Sequence, residues 1–423
     1  MSRAILWFRN DQRLADNAAL IAALAEHDEV LPVLIVDPRQ VGASPFGFDR
    51  LGAFRAQFYR EGYVELDSQL RSKGSALLVR RGEPAVVLKD LAEQWSARTV
   101  HTQKLYAWEE QRQEQEVGGI LDLQVHEANT LLREEDLPFT VDELPHVFTS
   151  FRTNVERRMP IQDVLPEPVR IPSPAAWVAS ARPDHGLMHE APFFDPRAAM
   201  RFHGGRAASL HRIAHYFGEA QHLGRYKQTR NGLLGADYSS KLSPWLATGA
   251  ISAREVYRDV KRYEEQNGAN ESTYWLIFEL LWRDFFQFTA AKHGRDLFLR
   301  AGLAQGPSKG NNDQHRFVAW CEGRTGQPFI DANMRELLHT GWMSNRGRQN
   351  VASYLVHDLA IDWRMGAYWF ERLLLDYDPC SNWGNWQYVA GVGNDPREGR
   401  RFDPERQVGL YDPGGTFRIL WDR

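Results

Sequence analysis

Four short stretches of the chain carry residue types that can do chemistry. The first is Tyr226-Lys227-Gln228-Thr229-Arg230-Asn231, followed by Asp237-Tyr238-Ser239-Ser240-Lys241-Leu242-Ser243-Pro244-Trp245. Hydroxyls and backbone N–H groups at a helix start donate to an anion, and a lysine among them adds charge. Three serines, Lys241 and a proline opening a helix therefore suit a phosphate cradle, although a plain helix cap has the same look. The second stretch is Trp275-Leu276-Ile277-Phe278-Glu279-Leu280-Leu281-Trp282-Arg283-Asp284-Phe285-Phe286. Helical spacing puts Glu279 and Arg283 one turn apart, as a solvated salt bridge or as a polar site among aromatics. The third, Thr340-Gly341-Trp342-Met343-Ser344-Asn345-Arg346-Gly347-Arg348-Gln349-Asn350, brings Asn345, Arg348 and Gln349 to one helix face. Apolar segments on both sides favour a polar site over a solvated helix start. The fourth, Asp376-Tyr377-Asp378-Pro379-Cys380-Ser381-Asn382-Trp383-Gly384-Asn385-Trp386-Gln387-Tyr388, reads as turn-rich. Its aspartates suit a metal ion, but no histidine cluster completes such a site.

The elements that must position these stretches fall into three parts. Strand-like runs Ala4–Phe8, Val30–Val36, Ala76–Val79, Thr99–Thr102 and Leu123–His126 alternate with helix-like Asn17–Ala25, Phe48–Leu70, Pro84–Trp95 and Glu109–Leu121. Repeated βαβ units predict a doubly wound parallel sheet over residues 1–130. Neither a GxGxxG nor a GxxxxGK[ST] fingerprint occurs, so an ordinary dinucleotide or P-loop site is not expected there. Ten of the 21 prolines lie between Pro138 and Pro196, which predicts a connector over 131–205 rather than a core, with a short helix near Ser150–Arg158. Residues 206–423 read as helical: Arg206–Tyr216, Pro244–Thr248, Ala253–Asn267, Ser272–His293, Asn312–Glu322, Ala332–Thr340, Asn345–Leu355 and Met365–Leu374.

Composition bounds the function. The 423 residues suffice for two or three cores, and 43% hydrophobic with 25% charged residues is ordinary for a folded protein. No apolar run reaches the ~18–20 residues that cross a bilayer, and the first residues enter a strand with no leader pattern, so a cytoplasmic protein is expected. Two cysteines, Cys321 and Cys380, exclude a disulfide framework and any four-cysteine metal or iron–sulfur site. A metal-free chain is expected. Residues 1–170 hold 20 Lys and Arg against 27 Asp and Glu, whereas residues 171–423 hold 31 against 28. The second part is thus the one suited to a phosphate backbone. Ten of the 14 tryptophans lie from Trp245 onward, as a large core or as stacking platforms and electron carriers.

The opening Trp7-Phe8-Arg9-Asn10-Asp11-Gln12-Arg13-Leu14-Ala15-Asp16-Asn17, the Ser-Ser-Lys-Leu-Ser loop, the Glu279–Arg283 helix, the Gly341–Arg348 segment and the final Trp-Gln-Tyr resemble DNA photolyases and cryptochromes. The motifs keep the family's order from residue 3 to about 404. The resemblance implies an α/β antenna domain joined to an all-α domain that holds FAD. It implies that Tyr226, Ser239, Ser240, Lys241, Leu242 and Ser243 hold the phosphates, and that Glu279, Arg283, Asn345 and Tyr377 line the cofactor. Asp376 pairs with Arg348 in this reading, Asp378 approaches the isoalloxazine, and Asn382 sits beside N5. Glu279 and Asn345 are its catalytic side chains, with Trp386 and Trp363 as inner electron carriers.

Gln349 and Tyr388 stand where conventional dimer photolyases usually carry Met and Trp, and no histidine stands at Asn345 or Gln349 as six-four enzymes require. With Val392-Gly393-Asn394-Asp395-Pro396-Arg397, these residues are similar to the cryptochrome DASH branch. That implies repair of cyclobutane pyrimidine dimers, mainly in UV-damaged single-stranded DNA, by a monomer. Trp282 and Tyr388 stack on the lesion in this reading, Arg230 and Arg346 meet phosphates, and Gln349 faces the substrate. The alternative is a blue-light receptor signalling through partners. No tryptophan lies in Gly306–Asn312, where the family's outer carrier falls, which leaves Trp383 and Trp320 as candidates. The resemblance also implies a methenyltetrahydrofolate antenna contacted by Glu109.

Overall fold

The computed structural model describes residues 1–182, 192–304, 310–394 and 401–422. The proline-bearing stretch 183–191, the segment Pro307–Lys309 and the branch signature Asp395-Pro396-Arg397 lie outside the described residues.

Five strands, β1 (Arg3–Phe8), β2 (Glu29–Val36), β3 (Leu78–Arg81), β4 (Thr99–Gln103) and β5 (Asp122–His126), form one sheet in the order β3-β2-β1-β4-β5. All four pairings are parallel, and Ile5 of β1 lies between Leu31 and Val100. Helices cover both faces, which is why β1 is apolar without alternation: Ala4 to Phe8 are all buried. The expected sheet is present, with β3 two residues later than the apolar run suggested, because its ladder begins at Val33 opposite Leu78. Asn17 caps the helix Ala18–Glu26 by accepting from Leu20 N at 3.0 Å.

The proline-rich segment is more than a spacer. Phe148, Phe151 and Val155 of the helix Phe148–Val155 are buried in the core of the helical part. Further on, Trp177 is fully buried in the sheet's core, where Nε1 donates to Ala76 O at 3.0 Å. Aromatic anchors placed among the prolines strap the two parts together, a feature that proline counting does not register.

The expected helices of the last part are present, including Ala253–Asn267, Glu271–His293, Pro328–Thr340, Asn345–Ser353 and Trp363–Leu373. The stretch read as turn-rich is a correction: after the turn at Asp376, residues Pro379–Ala390 form a helix. Asp378 caps it, accepting from Ser381 N at 2.7 Å, and Pro379 occupies its first turn. Both signals stand in the sequence, but apolar periodicity around them is weak.

The opening motif joins the two parts. Arg254 donates to Asp16 at 2.7 and 3.0 Å with both side chains buried, and Arg13 donates to Gly249 O at 2.9 Å. Gly249 has φ +70, and a Cβ there would fall 2.0 Å from Asn10 O. Only glycine permits that approach of the two backbones.

Candidate functional site

Helices Ser243–Thr248, Glu271–His293 and Asn345–Ser353, with the turn at Asp376, enclose a cleft of about 1160 Å3. Tyr226, Arg230, Ser239, Ser240, Lys241, Leu242, Ser243, Glu279, Arg283, Asn345, Arg348, Asp376 and Asp378 all line it. A second hollow of about 590 Å3 shares Asn345, Arg348, Asp376 and Asp378 with it and adds Gln349, Tyr377, Asn382 and Trp386. The residues singled out in four separate stretches thus meet around one continuous space.

Each wall has a visible cause. The Ser239–Ser240 loop is held from behind by buried Arg212, which donates to Ser240 O at 2.9 Å and Ser239 O at 2.9 Å. Lys241 turns with φ +53. Its Nζ is buried with no hydrogen-bond partner and lies 3.0 Å over the Tyr238 ring. Burial lowers the Lys241 pKa well below its ordinary value and raises that of neighbouring Glu336 to about 8. Arg348 Nη2 donates to both oxygens of Asp376 at 2.9 Å, and Ser243 Oγ adds a third bond at 2.7 Å. The expected Arg348–Asp376 pair is therefore formed. Asp378 accepts from Gln287 Nε2 at 2.9 Å, and Asn382 Nδ2 donates to Ala367 O at 3.1 Å. Burial pushes the Tyr226 phenol up to about 12, so it stays a neutral hydroxyl.

One contact that helical spacing allows is not formed. Glu279 is joined by Arg230, not by Arg283, which instead donates to Asn129 O and Oδ1 at 2.5 and 2.6 Å. Helical spacing allows the i, i+4 contact, but Arg230 and Asn129 arrive from other segments and compete successfully. Arg230, expected to meet phosphate, is engaged inside the cleft. Arg346, also expected to meet phosphate, lies outside it, donating to Asn231 Oδ1 at 2.9 Å and Gln349 Oε1 at 3.0 Å over the Tyr411 ring.

Trp282 stacks on Phe148 at 3.7 Å and meets Tyr388 edge-on at 5.9 Å and 89°. The two rings form a right-angled aromatic corner. Trp386 and Trp363 are buried, but among the described residues no ring contact joins them. Trp386 meets Trp320 at 6.3 Å and Phe370 at 5.1 Å, while Trp363 meets Trp383 at 5.5 Å. Both substitute carriers named from the sequence are thus neighbours of the inner pair.

Glu109 lines a different cavity, about 1070 Å3, at the carboxyl ends of β1 and β2. Trp7, Leu51, Tyr59 and Tyr63 face it from the sheet domain, and Phe298, Tyr377 and Pro379 face it from the helical part. Arg50 clamps Glu109 at 2.8 and 3.1 Å and Glu371 at 2.8 Å. Glu110 beside it is pushed up to about 7, by burial first and the Glu109 charge second. The sequence reading did not single out Arg50, Glu371 or Ser381, which lack any motif of their own.

The cleft suits the FAD implied by the resemblance on its donor set: serine hydroxyls beside a helix start, and an Arg–Asp pair at the entrance to an aromatic hollow. Among the described residues no helix is long and apolar enough to cross a membrane. Comparison with known proteins agrees. Residues 275–421 match the family described as FAD binding domain of DNA photolyase, and residues 4–173 match that described as DNA photolyase. The cryptochrome DASH of Gloeobacter violaceus is 47% identical over 425 residues, 99% of this chain and 85% of its own. The crystal structure of the Synechocystis sp. PCC6803 cryptochrome superposes with a TM-score of 0.95 at 43% identity, covering 100% of this chain and 88% of its own. An archaeal photolyase from Sulfolobus tokodaii, solved with two FAD molecules, gives 0.80 at 29% identity, covering 99% of this chain and 90% of its own. The chain belongs to the photolyase/cryptochrome family and is similar over its whole length to cryptochromes of the DASH branch.

Proposed function

We propose that the protein repairs cyclobutane pyrimidine dimers in UV-damaged DNA, mainly single-stranded, under light. When bound and reduced, FAD supplies the photoexcited electron that opens the dimer and takes it back afterwards. The chain's own residues do the rest. The observation that carries the reading is the aromatic corner of Trp282 and Tyr388, built on the same helices that bring Glu279 and Asn382 to the cleft.

Perpendicular rings receive a bulky, bent pyrimidine dimer better than a single flat base, and stacking contributes about 1–3 kcal/mol per base. Drawing a dimer from a duplex costs a few kcal/mol of unstacking, a cost that single strands largely avoid. Tyr388 offers a smaller ring than Trp at this position, which fits the less demanding substrate. Glu279 sits one turn before the corner and, once its carboxyl is protonated, donates a hydrogen bond to a carbonyl of the dimer. Arg230 holds that carboxylate in place until substrate arrives, while Lys227 and Arg230 flank Trp275 at 4.7 and 5.8 Å as a basic, aromatic approach for the strand.

The cavity bearing Glu109 is the place for an antenna. Its aromatic walls suit a flat chromophore, and Tyr377 borders both this cavity and the flavin hollow, which keeps the two close. Methenyltetrahydrofolate is the antenna proposed, with Glu109 as its contact once Arg50 shares its charge. A near-ultraviolet absorption band additional to flavin in purified protein tests this directly.

The central experiment incubates the protein with a single-stranded oligonucleotide carrying one dimer, in blue light and in darkness. Loss of the dimer in light alone is expected, and Trp282→Ala weakens binding of the damaged strand about 5- to 150-fold, the range that stacking implies. Intact dimers after illumination of the fully reduced protein would refute the repair reading and leave light reception.

A further inference from the structure

On the sheet face covered by the helix Ala18–Glu26, three histidines from three elements converge. His27 follows that helix, His101 lies within β4, and His126 ends β5. One ligand atom each from Glu26, His27 and His101 falls within 4.8 Å of the others. His101 is fully buried, yet its Nε2 has no hydrogen-bond partner, and neither does either ring nitrogen of His27. Buried polar atoms are normally paired, so three orphaned ring nitrogens in one place call for a ligand.

We propose that Glu26, His27 and His101 form a binding site for one divalent transition-metal ion of the Zn2+ class, with His126 as a positioning residue. The donor set is two imidazoles and one carboxylate, which suits Zn2+ and its neighbours; Mg2+ and Ca2+ take oxygen ligands. His101 Nδ1 lies 3.0 Å from His126 Nε2. A proton on His101 Nδ1 donated to His126 leaves the Nε2 lone pair directed at Glu26, whose Oε2 is 3.9 Å away. That arrangement, in which the second ring nitrogen donates to a neighbour, is how ligating histidines are ordinarily oriented. Ligand atoms around a tetrahedral ion lie about 3.4 Å apart, as bonds of about 2.0–2.1 Å require. Reaching that spacing needs a small adjustment of the side chains, and Glu26, whose side chain is 59% exposed, gives the ion its way in. A water completes the shell. The ion would tie the end of the helix Ala18–Glu26 to β4, far in the chain from every residue of the flavin cleft. The ligands come from separate elements, so no sequence spacing announces them, and the expectation of a metal-free chain rested on the cysteine count.

The test titrates ZnCl2 into tag-free, FAD-loaded protein after treatment with EDTA, read by calorimetry and by the melting midpoint. One Zn2+ per chain with a micromolar or tighter dissociation constant is expected, together with a raised midpoint. Glu26→Gln and His27→Gln, at an exposed and a partly exposed position, should each weaken binding at least tenfold. His126→Gln should weaken it by about 10- to 100-fold while the metal-free midpoint stays put, since it acts through His101. Absence of stoichiometric binding, or unchanged binding in both Glu26→Gln and His27→Gln, overturns the proposal.

Discussion

Replacing Asp376 tests whether the cleft is held by a charge pair or merely by packing. Its side chain is 4% exposed and accepts three hydrogen bonds, two from Arg348 Nη2 at 2.9 Å and one from Ser243 Oγ at 2.7 Å. Removing one partner of a buried ion pair costs about 3–5 kcal/mol, because the other charge is left without compensation. Arg348 is 23% exposed and keeps its Nε bond to Met343 O at 3.0 Å, so water and backbone recover part of that. The expected cost of Asp376→Ala is therefore about 2–3 kcal/mol, which for a helical part of this size corresponds to about 5–10 °C in melting midpoint. Asp376→Asn keeps the shape and one acceptor, and should cost about half as much. Because Ser243 and Arg348 both line the cleft, flavin should leave at the same transition. Thermal melts of the FAD-loaded protein, followed in parallel by circular dichroism and flavin fluorescence, give both numbers. An Ala variant melting within a degree of the parent would refute the reasoning, as would an Asn variant damaged as much as Ala.

Other consequences can be measured separately. Glu110 is pushed up to about 7 by burial, so the folded protein keeps its proton while the unfolded chain releases it near 4.5. Stability from this group is fully present below pH 4.5 and declines up to about pH 7; the advantage of Glu110→Gln over the parent should grow across that window, to about 3 kcal/mol, then level off. Trp386→Phe and Trp320→Phe should both slow flavin photoreduction under blue light, with Trp177→Phe in the sheet core as an unaffected control; unchanged kinetics in the Trp320 variant removes it from the path. Gly366→Ala should cost several degrees in melting midpoint and disturb the same photoreduction, because the added Cβ would lie 2.2 Å from Trp386 Cη2.

The sheet was legible because βαβ alternation is a local pattern: Ala4–Phe8 and Val30–Val36 need no partner to be recognised as buried strands. The cleft was legible in membership, since its residues cluster in four stretches whose polar types contrast with apolar neighbours. Its pairings were less so. Arg230 and Glu279 lie 49 residues apart, and Arg283 and Asn129 lie 154 apart, so their contacts depend on how the whole chain closes. The helix Pro379–Ala390 escaped notice because Asn382, Asn385 and Gln387 interrupt its apolar pattern, although Asp378-Pro379 is a good start signal. The histidines of the sheet face were invisible for the same reason as the ion pairs.

The helix Glu271–His293 explains why connector, cleft and substrate corner cannot vary independently. Apolar residues cover most of its circumference, and the polar ones that remain each reach a different part of the molecule. Asp284, fully buried, accepts from Leu131 N at 3.0 Å and Leu132 N at 2.8 Å, and burial raises it to about 7. Two residues earlier Trp282 stacks on Phe148 of the same connector. Glu279 and Arg283 face the cleft, while Gln287 donates to Asp378, the cap of the helix that carries Asn382 and Tyr388. A shift of the connector along this helix would therefore move Trp282 against Tyr388 and, through Gln287, the start of the helix bearing Asn382. The prolines around Phe148 make such a shift hard by fixing φ at each of their positions. On this argument the proline-rich stretch acts as the brace that holds the aromatic corner at its right angle.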